Sequence, residues 1–331
     1  MLNDTTFTPY TITAREAISP SSFVITISPR TPMHSLPYLL PGSSAWAHSL
    51  WSVEFKQPEV QIARHYTPLP PQDGVDSRDG TLRFYIRAVG DGEMSNYLGR
   101  LRPGQEVHLR GPHRGFDVLS RLGQKERLVV LAGGTGLVPG LQAAEAVLGS
   151  RQDTTVDILW AIRKREELEQ AAPPSRSSWW SSPEPLEIQA GFVSPSPVGR
   201  QLDMMKSRYG DRLRVRVAVD EEGSTFSSKF LAEVLKTDDL EKGTDDQRCG
   251  LHSQALQRRL SEFEMEPPAC TCSGHGKNLM MVSGPDGFIG HYTGQKVWQG
   301  GAHTQGAIDG ITGQLQRQQP GFQKQWLVLK L

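Results

Sequence analysis

The chain has 331 residues and a mass of 36.6 kDa, the length of about two domains at roughly 150 residues each. Hydrophobic residues make up 37% and charged residues 22%, which is enough apolar material for a core in each domain and excludes wholesale disorder. The 36 basic and 36 acidic residues cancel, so the overall charge points to neither a nucleic acid nor an anionic membrane as partner.

In chain order, residues 7–28 read as two strands. Thr11 and Thr13, then Val24, Ile25 and Ile27, are β-branched, and Ile18-Ser19-Pro20-Ser21-Ser22 between them is turn chemistry. Residues 51–55 alternate and predict a third strand. So do 81–89, with Leu82, Phe84 and Ile86 on one face, and 106–110. Short strands between Pro- and Gly-containing turns predict an antiparallel β-barrel or sandwich over 1–122.

The rhythm then changes. Residues 127–131 form a compact apolar run ended by Gly133-Gly134, and 140–148 has helical spacing with Pro139 near its first turn. Buried strands are predicted at 156–160, Leu213–Val219 and 279–282, and a helix is predicted to begin at 165–169. Alternating strands and helices predict an α/β domain with a parallel sheet over 123–331. Two stretches, 171–186 and 237–277, read as inserted loops, in part disordered, with an added strand near 186–193.

Four motifs could carry chemistry. Arg64-His65-Tyr66-Thr67-Pro68 puts Arg and Tyr on one side of a strand, offering a phosphate fork and a flat surface for a ring. A strand-end Arg beside a packed Tyr would read the same. In Gly92-Glu93-Met94-Ser95, glycine frees the backbone and Ser95 can cap a helix whose amides face an anion, or the stretch is an ordinary helix start. Gly133-Gly134-Thr135-Gly136, between a buried strand and a helix, has the context of a dinucleotide phosphate loop, although Pro139 stands where a third glycine would be. A plain Gly-rich turn is the alternative. Ser283-Gly284-Pro285-Asp286-Gly287-Phe288 follows the last buried strand, at the edge where open α/β sheets bind ligands, or is a turn that needs Gly and Pro.

Three cysteines are no disulfide framework. Cys249, His252, Cys270, Cys272 and His275 lack zinc spacing, so no metal site is expected. The longest runs without a polar residue fall far short of the ~20 apolar residues of a membrane span. The first basic residue is Arg15, after Asp4. Neither a secretory signal nor an Arg-rich presequence fits that start, which points to a cytosolic protein or to a targeting segment outside this sequence.

The order of Arg64-x-Tyr66-Thr67, Gly92-x-Met94-Ser95-x-Tyr97-Leu98, Arg110-Gly111-Pro112, Gly133-Gly134-Thr135-Gly136-x-x-Pro139 and Gly284-Pro285-x-Gly287-Phe288 resembles the ferredoxin–NADP reductase superfamily, in its cytochrome b5 reductase branch. The resemblance implies an FAD-binding barrel followed by an NAD(P)H-binding α/β domain. It would place Arg64 on the FAD phosphates and Tyr66 and Thr67 against the isoalloxazine. Gly92, Met94 and Ser95 would hold the pyrophosphate, and Gly133, Gly134, Thr135 and Gly136 the nicotinamide dinucleotide. Gly284 and Pro285 would shape the nicotinamide pocket, where Ser283 replaces the usual cysteine; Thr67 and Ser283 are the candidate catalytic residues. Asp220, after the strand Leu213–Val219, aligns with an acid near the adenosine ribose, which implies NADH over NADPH, although Arg163, Lys164 and Arg165 could bind a 2′-phosphate.

The tail, from Gly294-Gln295-Lys296-Val297-Trp298 to Trp326…Lys330-Leu331, is similar to fungal mitochondrial flavoproteins of cytochrome c import and haem attachment. That likeness implies a mitochondrial location, at the inner membrane facing the intermembrane space. It implies a haem protein, or haem with apocytochrome c, as electron acceptor, and haem lyase as a further partner. The alternative is a flavoprotein scaffold for cytochrome c assembly that turns over slowly or not at all.

Overall fold

A computed structural model describes residues 2–30, 46, 49–57, 59, 61–72, 80–90, 92–122, 127–169, 184–236, 277–299, 302–319 and 321–331. The 237–276 part of the second expected insertion lies outside them, as do 171–183 of the first and the five Cys and His residues weighed as zinc ligands.

The first half is antiparallel. β1 (Thr8–Ala17) and β2 (Ser22–Pro29) turn at Ser19–Ser22, where the Ser22 carbonyl accepts from the amides of Ile18 and Ser19. β3 (Trp51–Gln57), β4 (Ile62–Tyr66), β5 (Leu82–Arg87) and β6 (Glu106–Arg114) complete a six-stranded sheet in the order β4-β3-β6-β1-β2-β5. Phe55 on β3 nevertheless meets Phe84 on β5 edge to face, with centroids 4.9 Å apart, although four places separate those strands in the sheet. Twist has curled the sheet around one apolar core. The helix α1 (Glu93–Arg100) adds Met94 and Leu98 to that core.

The second half alternates. α2 (Val118–Arg121) is capped by the Asp117 carboxylate, which accepts from Leu119 N and Ser120 N. Then come β7 (Leu128–Gly133), α3 (Leu137–Ser150), β8 (Val156–Ile162), β9 (Leu186–Glu187), α4 (Pro197–Tyr209), β10 (Leu213–Val219) and α5 (Ser228–Val234). β11 (Asn278–Ser283), α6 (Asp286–Thr293), β12 (Val297–Gln299), β13 (Ala302–Thr304), α7 (Gly310–Gln318), α8 (Phe322–Gln325) and β14 (Trp326–Lys330) follow. The large sheet runs β14-β11-β7-β8-β10-β9, parallel throughout except for β9 against β10. Every residue of β7 and β11 is buried, as a parallel strand covered on both faces requires.

The antiparallel and parallel halves are those the sequence predicts. The core of the second half also takes in Ile18, Val24, Leu50, Leu69 and Tyr85 from the first, so the halves share a packed apolar interface. One element differs. The helix expected from 165 is a single 3-10 turn, Arg165–Glu167. The next carbonyl, of Leu168, accepts from Ser196 N at 3.0 Å, and Glu169 bridges Pro195, so the chain is drawn sideways instead of continuing as a helix. α4, capped by Ser196 with Pro197 in its first turn, and the edge strand β14 were not anticipated from the sequence.

Candidate functional site

Arg64 and Tyr66 lie on β4 opposite Phe55 and Val53, two core residues, so both face the concave side of the curled sheet at its rim. Arg64 is exposed, and its NH1 donates to the carbonyl of Ala63 at 2.8 Å. Tyr66 packs edge to face on Phe55 at 5.3 Å, and burial pushes its phenol up to about 12, against the pull of Arg64. It therefore remains a neutral donor at physiological pH. Thr67 follows, partly exposed, where β4 ends.

At the start of α1 the residue in the capping position is Gly92, and no side chain caps the helix. Ser95, expected as the cap, sits one turn inside. Its hydroxyl donates to the Gly92 carbonyl at 3.0 Å and accepts from Val89 N at 3.2 Å. The hydroxyl is thus spent on closing the turn, and a methyl on Gly92 would collide with it at 2.6 Å. The first intrahelical bond comes from Asn96 N to the Gly92 carbonyl, which leaves the amides of Glu93, Met94 and Ser95 at the positive end of the helix. The Met94 side chain itself is buried in the barrel core.

Across the interface, β7 delivers Gly133 to a 3-10 turn, Gly134–Gly136, that runs into α3. The glycines there have different reasons. A methyl on Gly136 would lie 2.4 Å from the Ser283 carbonyl, and one on Gly133 would lie 2.9 Å from the Phe288 ring. Both are needed because this turn packs directly on Ser283–Phe288, which brings the two loop motifs into one place. Thr135 lies between them, half-buried. Gly134 has φ +54° and an open side, where the nearest atom to an added methyl is Arg87 NH1 at 3.8 Å. Pro285 starts α6, its carbonyl accepting from Phe288 N and Ile289 N. Gly284 lies against the Gly133 backbone, and Ser283 is buried at the end of β11 opposite Ala132. Asp220 stands apart, exposed, two strands along at the end of β10.

Three groups at the interface have no local motif. Gln142 on α3 is 3% exposed; it accepts from Trp51 N at 3.0 Å and donates to the Pro68 carbonyl at 2.9 Å, tying the helix behind Gly134–Gly136 to the strand end that carries Thr67. Glu167, 1% exposed, accepts from the Tyr85 hydroxyl at 2.5 Å and pairs with Arg87. That carboxylate, after burial itself, holds the Tyr85 hydroxyl well above its ordinary range. Arg83 bonds Gln201 and the Pro70 carbonyl. A lone polar residue among the buried neighbours Leu141, Ala143 and Ala144 was the available signal for Gln142. Nothing in the sequence marked Arg87 or Glu167 as partners.

The arrangement suits a dinucleotide. The open side of Gly134 faces a guanidinium whose Nε is buried without a hydrogen-bond partner among the described residues, and the α1 amides and exposed Arg64 flank the barrel rim.

Residues 9–117 match the family described as oxidoreductase FAD-binding domain. The cytochrome c mitochondrial import factor CYC2 of Saccharomyces cerevisiae is 35% identical over 128 residues, 35% of this chain and 34% of that protein. NADH-cytochrome b5 reductase 1 of Lodderomyces elongisporus is 30% identical over 155 residues, 43% of this chain and 50% of that protein. The matched regions therefore span half or less of these two relatives. A flavohemoglobin from Malassezia yamatoensis, with bound FAD and heme, shares the fold: TM-score 0.50 over 87% of this chain and 55% of that one, at 12% identity. FAD and NAD(P)H are the cofactors that this domain and its relatives imply.

Proposed function

We propose that this protein, a cytochrome b5 reductase-like member of the ferredoxin–NADP reductase superfamily, takes hydride from NAD(P)H onto FAD and passes electrons to a haem-type acceptor. Residues 1–122 would serve FAD and 123–331 the nicotinamide dinucleotide. The observation that carries this reading is the Gln142 clasp, which holds the Thr67 end of β4 against the helix that starts at Gly134–Gly136. A hydride donor and a flavin need that fixed register, with reacting atoms about 3–3.5 Å apart.

Bound FAD supplies hydride acceptance and single-electron release. The chain's own residues position and neutralise. Arg64 and the α1 amides hold phosphate charge, and Tyr66 and Thr67 offer a flat wall and a hydroxyl beside the ring. Gly134 and Arg87 receive the second pyrophosphate, and Gly284, Pro285 and the small Ser283 leave room for a nicotinamide. No side chain need move a proton in the first step. Asp220 can accept from a ribose 2′-hydroxyl and repel a 2′-phosphate, which favours NADH.

Likeness to the mitochondrial import factor supports a mitochondrial location and a partner in cytochrome c biogenesis; the acceptor in this reading is a haem protein, or haem with apocytochrome c, with haem lyase as a further partner. Among the described residues no helix is long and apolar enough to cross a membrane. The test is NADH-driven reduction of haem with apocytochrome c against reduction of cytochrome b5, at matched concentrations. Turnover with the haem–apocytochrome mixture is expected. Efficient turnover with cytochrome b5 and none with the mixture would overturn the cytochrome c assignment and leave the reductase.

A second reading, a slow or inactive assembly scaffold, rests on Ser283, the buried serine at the position where the superfamily usually has cysteine.

A further inference from the structure

The turn that follows β10, Asp220–Glu222, lies beside the run Arg163-Lys164-Arg165 that follows β8. The strands are neighbours with Val219 opposite Ile162, and Glu221 N donates to the Arg163 carbonyl at 3.1 Å. Two ion pairs join the segments, Lys164 with Glu221 and Arg165 with Glu222. The pairs are unequal. Lys164 lies 3.6 Å from Glu221 with both side chains half exposed, an arrangement that water and salt weaken. Arg165 uses two prongs of its fork: Nε donates to Glu222 Oε1 at 2.7 Å and NH2 donates to Oε2 at 2.6 Å. Those side chains are only 23% and 24% exposed.

This edge is where an open α/β sheet places the adenosine ribose of a dinucleotide, one strand on from the glycine turn. A 2′-phosphate there is held best by a planar, bidentate donor, which arginine provides, whereas a lysine acts as a point charge. Arg165, the arginine of this run whose side chain reaches the β10 turn, is already engaged through two of its nitrogens, while Arg163 is exposed. To reach Arg165, an incoming phosphate dianion would have to displace Glu222 and sit beside that carboxylate, Asp220 and Glu221. A ribose 2′-hydroxyl makes no such demand.

We propose that Glu222, by holding Arg165 in a two-pronged ion pair, is a specificity-determining residue that makes this site select NADH over NADPH. The proposal rests on the dinucleotide reading of the site, and it moves the selectivity from Asp220 alone to a sequestered arginine. Because Arg165 is held instead of absent, selectivity is reversible by one substitution.

The test uses the full chain and needs no turnover: calorimetric binding of 5′-AMP and of 2′,5′-ADP, with the NADPH/NADH ratio of kcat/KM as a second readout. Glu222→Gln cannot hold Arg165 by two charge-assisted bonds, so 2′,5′-ADP should bind about tenfold or more tighter, as expected for a released charged donor. Binding of 5′-AMP should change far less, which also shows the variant is folded. Adding Arg165→Ala should abolish the gain. No gain for Glu222→Gln, an equal gain for both nucleotides, or a gain that survives Arg165→Ala would each overturn the proposal. Wild-type protein that binds neither nucleotide would overturn the dinucleotide reading itself, and the proposal with it.

Discussion

At the scale of single residues, the site separates side chains that face a ligand from side chains that hold a turn shut. Arg64 is of the first kind: exposed at the barrel rim, beside Tyr66. Arg64→Ala should remove a charge-assisted phosphate contact worth about 1.5–3 kcal/mol, so the flavin-to-protein ratio after gel filtration should fall. A variant that keeps its full yellow colour would show that Arg64 is not a flavin ligand. Gly136 is of the second kind. Gly136→Ala places a methyl 2.4 Å from the Ser283 carbonyl, and overpacking of that kind costs about 1–3 kcal/mol or more. The urea midpoint should drop accordingly; an unchanged midpoint would mean that the two loops are not held in contact. The glycines were legible in the sequence as a turn between a buried strand and a helix. Their packing on Phe288 and Ser283 was not, because the partners are about 150 residues away along the chain.

At the scale of elements, strands were legible and helices less so. The run that becomes β7 is uniformly apolar and the stretch that becomes β1 is rich in β-branched residues, and both signals are local. The four-residue α2 and the helix α6, which begins at a Pro-Asp-Gly turn, carry almost no periodicity. The strands β3, β4 and β6 also carry an unforeseen pair. His65 lies opposite Glu54, Ser52 opposite His113, and the two imidazoles meet edge to face at 5.0 Å. Burial, then the neighbouring His113, pushes His65 below 6.5. Burial likewise lowers His113, with Glu54 and Asp4 pulling up and Arg110 pushing down. The unfolded chain therefore binds protons that the folded one resists. The pair costs nothing well above pH 6.5, where both states are neutral, and withdraws stability progressively as the pH falls through that value. A His65→Gln, His113→Gln double variant should lose less stability than the wild type between about pH 7 and pH 5 in urea titrations. Parallel slopes for the two proteins would contradict this.

At the scale of the whole molecule, the two halves are joined by buried polar groups set in a shared apolar core: Gln142, Glu167 with Tyr85 and Arg87, and Arg83 with Gln201. These contacts span 75 residues or more of sequence in most cases, which is why no local pattern announced them. Gln142→Leu would leave Trp51 N and the Pro68 carbonyl buried without their partner, at about 1–3 kcal/mol each. FAD content should hold while the rate of flavin bleaching by NADH falls, because the register between the halves is what loosens. Equal loss of FAD and of rate would mean that the clasp supports the barrel alone.

If the two halves bring NAD(P)H and FAD into reacting register, the nicotinamide must reduce the flavin directly. An anaerobic titration of the purified protein with NADH, read at the flavin absorption band, measures that step. A yellow protein that bleaches stoichiometrically with NADH, and less readily with NADPH, is expected. A colourless protein, or a yellow one that keeps its flavin band through excess NADH and NADPH, would contradict it.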